Sequence, residues 1–277
     1  MESKELTIVV VTFKSDKKII SCLNSISNEI PIIIVENSNN FDFKKNIESK
    51  FKNVNCILTG GNKGYSAANN IGLKTVKSKY ALVLNPDTTL DKNAIKNFFA
   101  FIKLKKDFCL LGPANDQIVE IDFKENKIQE VNNLKGFAIF FNMSKFDKEF
   151  FDENFFLYFE EIDLCKRVKK NKGKIFLDKN IIINHEGGSS VNKFFSFELE
   201  KNRNWHWMWS TFYYHKKYKG FLLATIIIFP KLLSAIFNSL FYLIILNKTK
   251  RDIYFCRLSG ILNSMADKKS WYRPALD

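Results

Sequence analysis

The stretch Leu6-Thr-Ile-Val-Val-Val-Thr-Phe13 is a short β-branched run with no polar–apolar alternation. Such a run fits a strand buried on both faces, as in a parallel sheet with helices on either side. Working outward, a helix is expected over Lys17–Ser27, and Ile30-Pro-Ile-Ile-Ile-Val-Glu36 reads as a second buried strand. A helix near Lys44–Lys50, a strand at Val54–Leu58, a helix near Ser66–Val76, a strand at Tyr80–Asn85 and a helix over Lys92–Lys105 continue the series. Strand and helix in strict alternation predict parallel pairing through crossover helices.

The pattern then loosens. Gln117–Phe123 and Lys127–Val131 read as a hairpin around Glu125-Asn126, Gly136–Phe141 as a strand, and Glu160–Lys172 as a helix with an acidic start. Short strands are expected at Lys174–Leu177 and Ile181–Asn184. From Lys193 onward no strand pattern remains. A long aromatic helix is expected over Lys193–Tyr218, then an apolar run Phe221–Leu246 interrupted by Pro230-Lys231 and Asn238, then a helix near Lys250–Ala266. The chain thus divides into a mixed α/β domain, 1–192, and a helical region, 193–277.

Composition narrows the function. Of 277 residues 15% are aromatic, 28 of them Phe, which supports a large core and argues against disorder. The net charge of +14 points to an anionic partner. The helical region holds fourteen Lys and Arg against five Asp and Glu, so most of that charge lies beside the longest apolar run. This combination fits a membrane interface better than nucleic acid, which would explain the charge but not the apolar run. Trp205, Trp207 and Trp209 before the run, and Lys248, Lys250 and Arg251 after it, suit an interfacial anchor. With Pro230 and Lys231 near its middle, the run fits a helical hairpin or two in-plane helices at least as well as a single span; an oligomer core is the alternative. Five scattered cysteines without a Cys-x-x-Cys pair imply neither a disulfide framework nor a zinc cluster, and they read as buried thiols. The N-terminus shows no signal-peptide pattern, so a cytoplasmic location is expected.

Four segments carry candidate chemistry. Leu84-Asn-Pro-Asp-Thr88 ends a buried strand, where ligands of open α/β sheets bind, and an Asp there suits a hard divalent cation. The same tripeptide also makes a common turn with a helix-capping Asp. Gly60-Gly-Asn-Lys-Gly-Tyr-Ser-Ala-Ala-Asn-Asn-Ile-Gly72 permits close backbone approach and ends in a helix N-terminus that favours an anion; its structural reading is a turn with small helix-packing residues. Tyr158-Phe-Glu-Glu-Ile-Asp-Leu-Cys-Lys-Arg167 places Glu160, Glu161 and Asp163 within four residues. They complement a helix dipole, and a carboxylate beside a sugar hydroxyl is a general base. Asp163 and Arg167, four apart, suit a structural ion pair. Asn184-His-Glu-Gly-Gly-Ser-Ser190 places His185 just after a short strand and before a flexible loop. No Ser-His-Asp order, Walker loop or nicotinamide-type Gly-x-Gly-x-x-Gly follows a strand, so covalent catalysis and hydride transfer are not supported.

Taken in order, Val11-Thr-Phe13, Val35-Glu-Asn-Ser38, Gly61–Gly72, Leu84–Thr88, Phe159–Arg167 and His185 with Gly187-Gly-Ser189 resemble family 2 glycosyltransferases of the GT-A fold, in particular the rhamnosyltransferase-like branch. The resemblance covers roughly Leu6 to Ser190. It implies a GT-A fold and transfer with inversion from a nucleotide-diphosphate sugar, with dTDP-rhamnose favoured and UDP-hexoses also compatible. Thr12, Phe13 and Glu36 would line the nucleoside pocket, and Asn62, Gly64, Asn69 and Asn85 would lie along the donor. Asp87 and His185 would hold Mg2+ or Mn2+. Glu161 would be the catalytic base, with Asp163 and Glu160 as further catalytic candidates. The family's first metal-motif acid is Asn85 here, and Glu36 and Glu161 stand where Asp is usual. A lipid-linked saccharide acceptor at the cytoplasmic face of the inner membrane, in surface polysaccharide synthesis, completes the expectation. A non-catalytic nucleotide-sugar-binding protein is the rival.

Overall fold

The computed structural model describes residues 2–114, 127–186 and 196–273. The contacts divide the chain into two compact units. The first comprises Met1–Asp152 and Glu161–Val191; the second comprises Glu153–Glu160 and Asn192–Asp277. The chain therefore lends eight residues, immediately ahead of Glu161, to the helical unit.

The first unit is built on β1 (Leu6–Thr12), β2 (Ile32–Glu36), β3 (Val54–Leu58), β4 (Tyr80–Leu84), β5 (Thr88–Leu90), β6 (Leu110–Pro113), β7 (Ile128–Glu130), β8 (Ala138–Asn142), β9 (Ile175–Asp178) and β10 (Ile183–His185). Its helices are α1 (Asp16–Asn24), α2 (Phe41–Lys50), α3 (Gly64–Thr75), α4 (Ala94–Leu104) and α5 (Glu160–Lys170). Eight strands form one sheet in the order β3-β2-β1-β4-β8-β6-β9-β7, and β10 and β5 form a second, two-stranded sheet. The first four strands of the order are parallel; β8 then runs antiparallel to both β4 and β6.

The unbroken apolar strands follow from double coverage. Leu6, Ile8 and Val10 of β1 face a core with Ile19, Cys22 and Leu23 of α1, Ile47 of α2 and Phe98 and Phe101 of α4. Val9 faces the opposite core with Ala68 and Leu73 of α3 and Leu164, Cys165 and Val168 of α5. The period-2 geometry of a strand sends successive residues into these two cores, so neither set is free to be polar. Phe98 and Phe140 stack with centroids 4.6 Å apart, which accounts for part of the heavy phenylalanine usage.

Two strands escaped the sequence pattern. β5 is only three residues long, and the Asn-Pro-Asp turn before it masks its start. β6 ends in Gly-Pro, residues that read as a breaker. Of the expected hairpin, the arm Lys127–Val131 contains a strand as read, and Ile128–Glu130 pairs antiparallel with β9. The other arm, Gln117–Phe123, lies outside the described residues, as does Gly187-Gly-Ser189.

The second unit packs α6 (Ser196–Lys219), α7 (Phe221–Ile244) and α8 (Lys248–Met265) against one another and against Glu153–Glu160. The apolar run, for which a hairpin, two helices or one helix were all open, forms one helix, with Pro230 inside it. Trp205 and Trp209 are not interfacial residues. They are 0% and 4% exposed, and their indole N–H groups donate to Ser259 Oγ and to the Lys268 carbonyl. Trp207 alone of the three is exposed. Gly260 of α8 lies against the Trp205 backbone, where an added Cβ would meet the Trp205 carbonyl oxygen at 2.3 Å.

Gly72 does the same for the sheet. A Cβ there would stand 2.4 Å from Val9 Cγ1 and 3.2 Å from Val35 Cγ2, so glycine sets how closely α3 lies on β1 and β2. Gly72→Ala is expected to cost about 1–3 kcal/mol through overpacking, read as a Tm lower by several degrees in thermal denaturation, whereas alanine at exposed Lys74 leaves Tm nearly unchanged.

Candidate active site

The carboxyl end of β4 is the centre of the site. Leu84 closes the buried strand, and the Asn85 N–H donates to the Phe137 carbonyl at 2.9 Å. The chain turns over Asn85-Pro-Asp-Thr88, with the Asn85 carbonyl accepting from the Thr88 N–H (3.3 Å) and Oγ1 (2.7 Å). It then enters β5, which pairs antiparallel with β10 in the register His185↔Thr88. The Glu186 N–H donates to the Asp87 carbonyl at 3.1 Å, extending that ladder. The pairing brings His185 Nε2 to 3.3 Å from Asp87 Oδ1, with Asp87 only 8% exposed. The His185 ring also stacks on Phe137, centroids 4.8 Å apart and planes at 8°.

Residues 136 and 137 link this pair to the acidic helix. Gly136 stands beside Glu161, since a Cβ added there would lie 3.7 Å from Glu161 Cβ and Cγ. The Gly136 carbonyl accepts from the Tyr65 hydroxyl at 2.6 Å, which ties the first turn of α3 to the same spot. Asp87, His185, Glu161 and Tyr65, from four separate stretches of chain, thus gather on Gly136-Phe137. The strand pattern over 136–141 was legible and Tyr65 lies within the Gly-rich segment, but nothing in the sequence marked Gly136 or Phe137 as site residues; their place at the site arises from pairing.

The three carboxylates of the acidic helix have different surroundings. Asp163 is fully buried and ion-paired with Arg167 Nε at 2.7 Å, and the Arg167 guanidinium also donates to the Phe150 carbonyl. Glu160 is 6% exposed and belongs to the helical unit. Glu161 is half-buried, and burial pushes its carboxyl above the ordinary glutamate range; backbone N–H groups of Glu161 and Ile162 oppose that shift. Ahead of this helix Tyr158 and Phe159 both hold φ of 70°, a left-handed conformation that costs bulky side chains about 1–3 kcal/mol each. Contacts to Trp207 and Tyr214 over-determine it: Tyr158 and Phe159 lie 5.2 and 5.5 Å from Trp207, and Phe159 lies 5.2 Å from Tyr214.

The remaining candidates lie at the ends of β1 and β2 and on α3. Thr12 is 1% exposed and its Oγ1 has no partner; Asn69 is fully buried with Oδ1 likewise unmatched, its Nδ2 donating to the Tyr65 carbonyl. An orphaned buried oxygen is costly and invites a ligand. Phe13 is half-buried just past β1. Glu36 is 2% exposed, its carboxylate accepting from the Ser38 N–H, the Ser38 hydroxyl and the Asn40 N–H. It fixes its own loop. Asn37, inside the Val35–Ser38 segment but given no role there, clamps the Gly-rich loop: its Nδ2 donates to Asn62 Oδ1 and the Gly64 carbonyl, and its Oδ1 accepts from the Lys63 N–H. Asn62 also accepts from the Gly64 N–H, at the start of α3.

For a divalent cation, a carboxylate oxygen and an imidazole nitrogen in contact are suitable donors. No third His, Cys, Asp or Glu joins them among the described residues. The thiols are no rivals for catalysis: burial pushes Cys22 up to about 11 and Cys56 and Cys165 up to about 12.

A mostly parallel sheet that turns antiparallel at β8, with a two-stranded sheet crossing the carboxyl end of β4, is the architecture of nucleotide-sugar transferases of the GT-A fold. The model of the family described as glycosyl transferase family 2 matches residues 7–165, more than half of the chain, and the protein belongs to that family. The low-salt glycan biosynthesis hexosyltransferase Agl10 of Haloferax volcanii is 24% identical over 193 residues, 60% of this chain and 62% of that protein. The chain thus matches less than two thirds of that relative's length. Among solved structures, TarS 1–349 of S. aureus in complex with UDP-GlcNAc superposes with a TM-score of 0.55 at 15% identity, covering 97% of this chain and 93% of that one. GalNAc-T7 with UDP, GalNAc and Mn2+ gives 0.55 at 11% identity, covering 66% and 44%.

The raised Glu161 carboxyl has a signed consequence for stability. Its ionised form is disfavoured in the fold, so the cost is absent below the ordinary glutamate range and grows as pH rises through the raised pKa. Glu161→Gln is therefore expected to melt higher than wild type at about pH 8 and level with it at about pH 4, checked by differential scanning calorimetry.

Proposed function

We propose that the protein is an inverting glycosyltransferase that moves a sugar from a nucleoside-diphosphate donor to a hydroxyl of a lipid-linked saccharide, at the cytoplasmic face of the inner membrane, in surface polysaccharide synthesis. The observation that carries this reading is the convergence of Asp87, His185 and Glu161 on Gly136-Phe137 in a member of glycosyl transferase family 2.

Glu161 takes the proton of the acceptor hydroxyl as that oxygen bonds to the anomeric carbon from the face opposite the diphosphate. The bond from the anomeric carbon to the diphosphate oxygen breaks, and the nucleoside diphosphate leaves with its electron pair. The environment of Glu161 suits the role, because a base with a raised pKa binds the transferred proton more strongly. Asp163 acts through Arg167, holding the helix that carries Glu161, and Glu160 shapes its first turn. Thr12, Phe13 and Glu36 line the nucleoside side; Asn62, Gly64, Asn69 and Asn85 follow the donor. Asp87 and His185 would hold Mg2+ or Mn2+, which would supply positive charge beside the diphosphate. The Mn2+ and UDP in the GalNAc-T7 structure lend this support. For the sugar, the motif resemblance favours dTDP-rhamnose, whereas the hexosyltransferase relative and the UDP-GlcNAc complex of TarS support a UDP-hexose.

A panel of nucleotide sugars assayed with and without Mn2+ or Mg2+ tests the reading and names the donor. Metal-dependent release of nucleoside diphosphate, falling at least 100-fold in Glu161→Ala and in Asp87→Ala, is expected. Tight donor binding without turnover, with membrane extracts as acceptor, would establish a non-catalytic binding protein instead. In the active enzyme kcat/KM rises with pH through the raised Glu161 pKa, so the midpoint of its acid limb lies above the ordinary glutamate value of about 4.3, read from a pH–rate profile.

A further inference from the structure

Among the described residues one helix, α7, is long and apolar enough to cross a membrane, with a mean hydropathy of 1.9. Its two sides differ. Ala224, Ile228, Ala235 and Ser239 are buried within the helical unit. On the other side Leu222, Ile226, Phe229, Leu233, Phe237, Leu240 and Ile244 are between 50% and 78% exposed. Their spacing of three and four residues draws one straight stripe along the helix, and no charge interrupts it. The single charge of α7, Lys231, is elsewhere on the helix: its Nζ lies over the Trp207 ring of α6, 5.8 Å from the centroid.

We propose that this stripe is a monotopic membrane-docking surface, by which α7 lies in the plane of an anionic lipid leaflet rather than spanning the bilayer. The proposal rests on the membrane placement given above and specifies its mode.

Three observations exclude the other occupants. First, α7 is packed along its length by α6 and α8. Those helices carry charge away from their ends, such as Arg203 in α6 and Arg257, whose Nε donates to Asn204 Oδ1 at 2.6 Å. A spanning α7 would drag these groups into hydrocarbon. Second, basic residues flank both ends: Lys217 and Lys219 close α6, Lys248 and Lys250 open α8, and all four are exposed. A spanning helix carries its lysines and arginines mainly on one side, whereas a helix lying in the plane presents both ends to the same headgroups. Third, a second copy seated antiparallel on the stripe would set lysines against lysines at both ends, while acidic headgroups complement them.

The test uses the full chain and preformed vesicles of neutral phosphatidylcholine with or without phosphatidylglycerol. Flotation with the anionic vesicles is expected, weakening about five-fold for each of the four lysines changed to Gln. Ile226→Asp with Phe237→Asp, at exposed positions that leave the core untouched, abolishes flotation while the circular dichroism and melting curve stay as in wild type. In vesicle-bound Lys219→Cys and Thr249→Cys variants, both new thiols react with an impermeant maleimide added outside. Protection of one of them would mean a spanning helix and overturn the proposal. So would a lipid-independent dimer that the two aspartates dissociate, or equal flotation with neutral vesicles. Donor turnover in detergent, unchanged by the aspartates and lost in Asp87→Ala, separates failure of the docking surface from failure of the enzyme reading.

Discussion

The antiparallel ladder between β4 and β8 is the constraint on which the site depends. β4 ends in Asn85-Pro-Asp87, and β8 begins just after Gly136-Phe137, so the two ends meet in register Leu84↔Ala138. The hydrogen bond from the Asn85 N–H to the Phe137 carbonyl carries that register one step beyond the strands. Phe137 then offers its ring to His185, and Gly136 offers its carbonyl to Tyr65 and its bare Cα to Glu161. A slip of one residue would turn every one of these groups to the other face.

Around that junction the protein separates carboxylates by environment. Asp163 is buried with Arg167 beside it, an arrangement that fixes α5 and leaves its charge compensated. Glu161, two residues earlier, lacks such a partner among its strongest influences, and burial raises its pKa instead. Positions two apart on one helix can diverge so far because they point in different directions. The chain reaches this helix through Tyr158 and Phe159, whose left-handed backbone is held by the aromatic side chains of α6. Strain of this kind persists only where packing over-determines it.

The helical unit sorts its residues by face rather than by type. Trp205 and Trp209 fill its interior and satisfy their N–H groups there, while leucines, isoleucines and phenylalanines of α7 stand in solvent. An aromatic-rich helix beside an apolar one therefore does not by itself say which of them is buried. Small residues decide it: Gly260 lets α8 close on the Trp205 backbone, and Ala224 and Ala235 turn the narrow side of α7 inward.

The sequence by itself determined the alternation of buried strands and helices, because a strand covered on both faces admits only apolar residues and the covering helices must present one apolar side. It also offered Asp87 at the end of an apolar strand as a candidate cation ligand, whereas His185 and Glu161 were singled out by the ordered set of motifs that resembles family 2 glycosyltransferases. It pointed to the Asp163–Arg167 pair through spacing alone. Only the tertiary structure decided that His185 stands against Asp87, for they lie far apart in sequence and meet through β5 and β10, three residues each, too short to leave a periodic signal. The same holds for Asn37, a polar residue in a loop whose bonds to Lys63 and Gly64 exist only once β2 and β3 are side by side. Pro230 shows the converse. Local chemistry predicts a break there, and burial of the Ala224–Ser239 side against its neighbours keeps α7 one helix. Propensity and periodicity are local and can be read from the chain; register and packing join distant segments and arise only when the whole chain has folded.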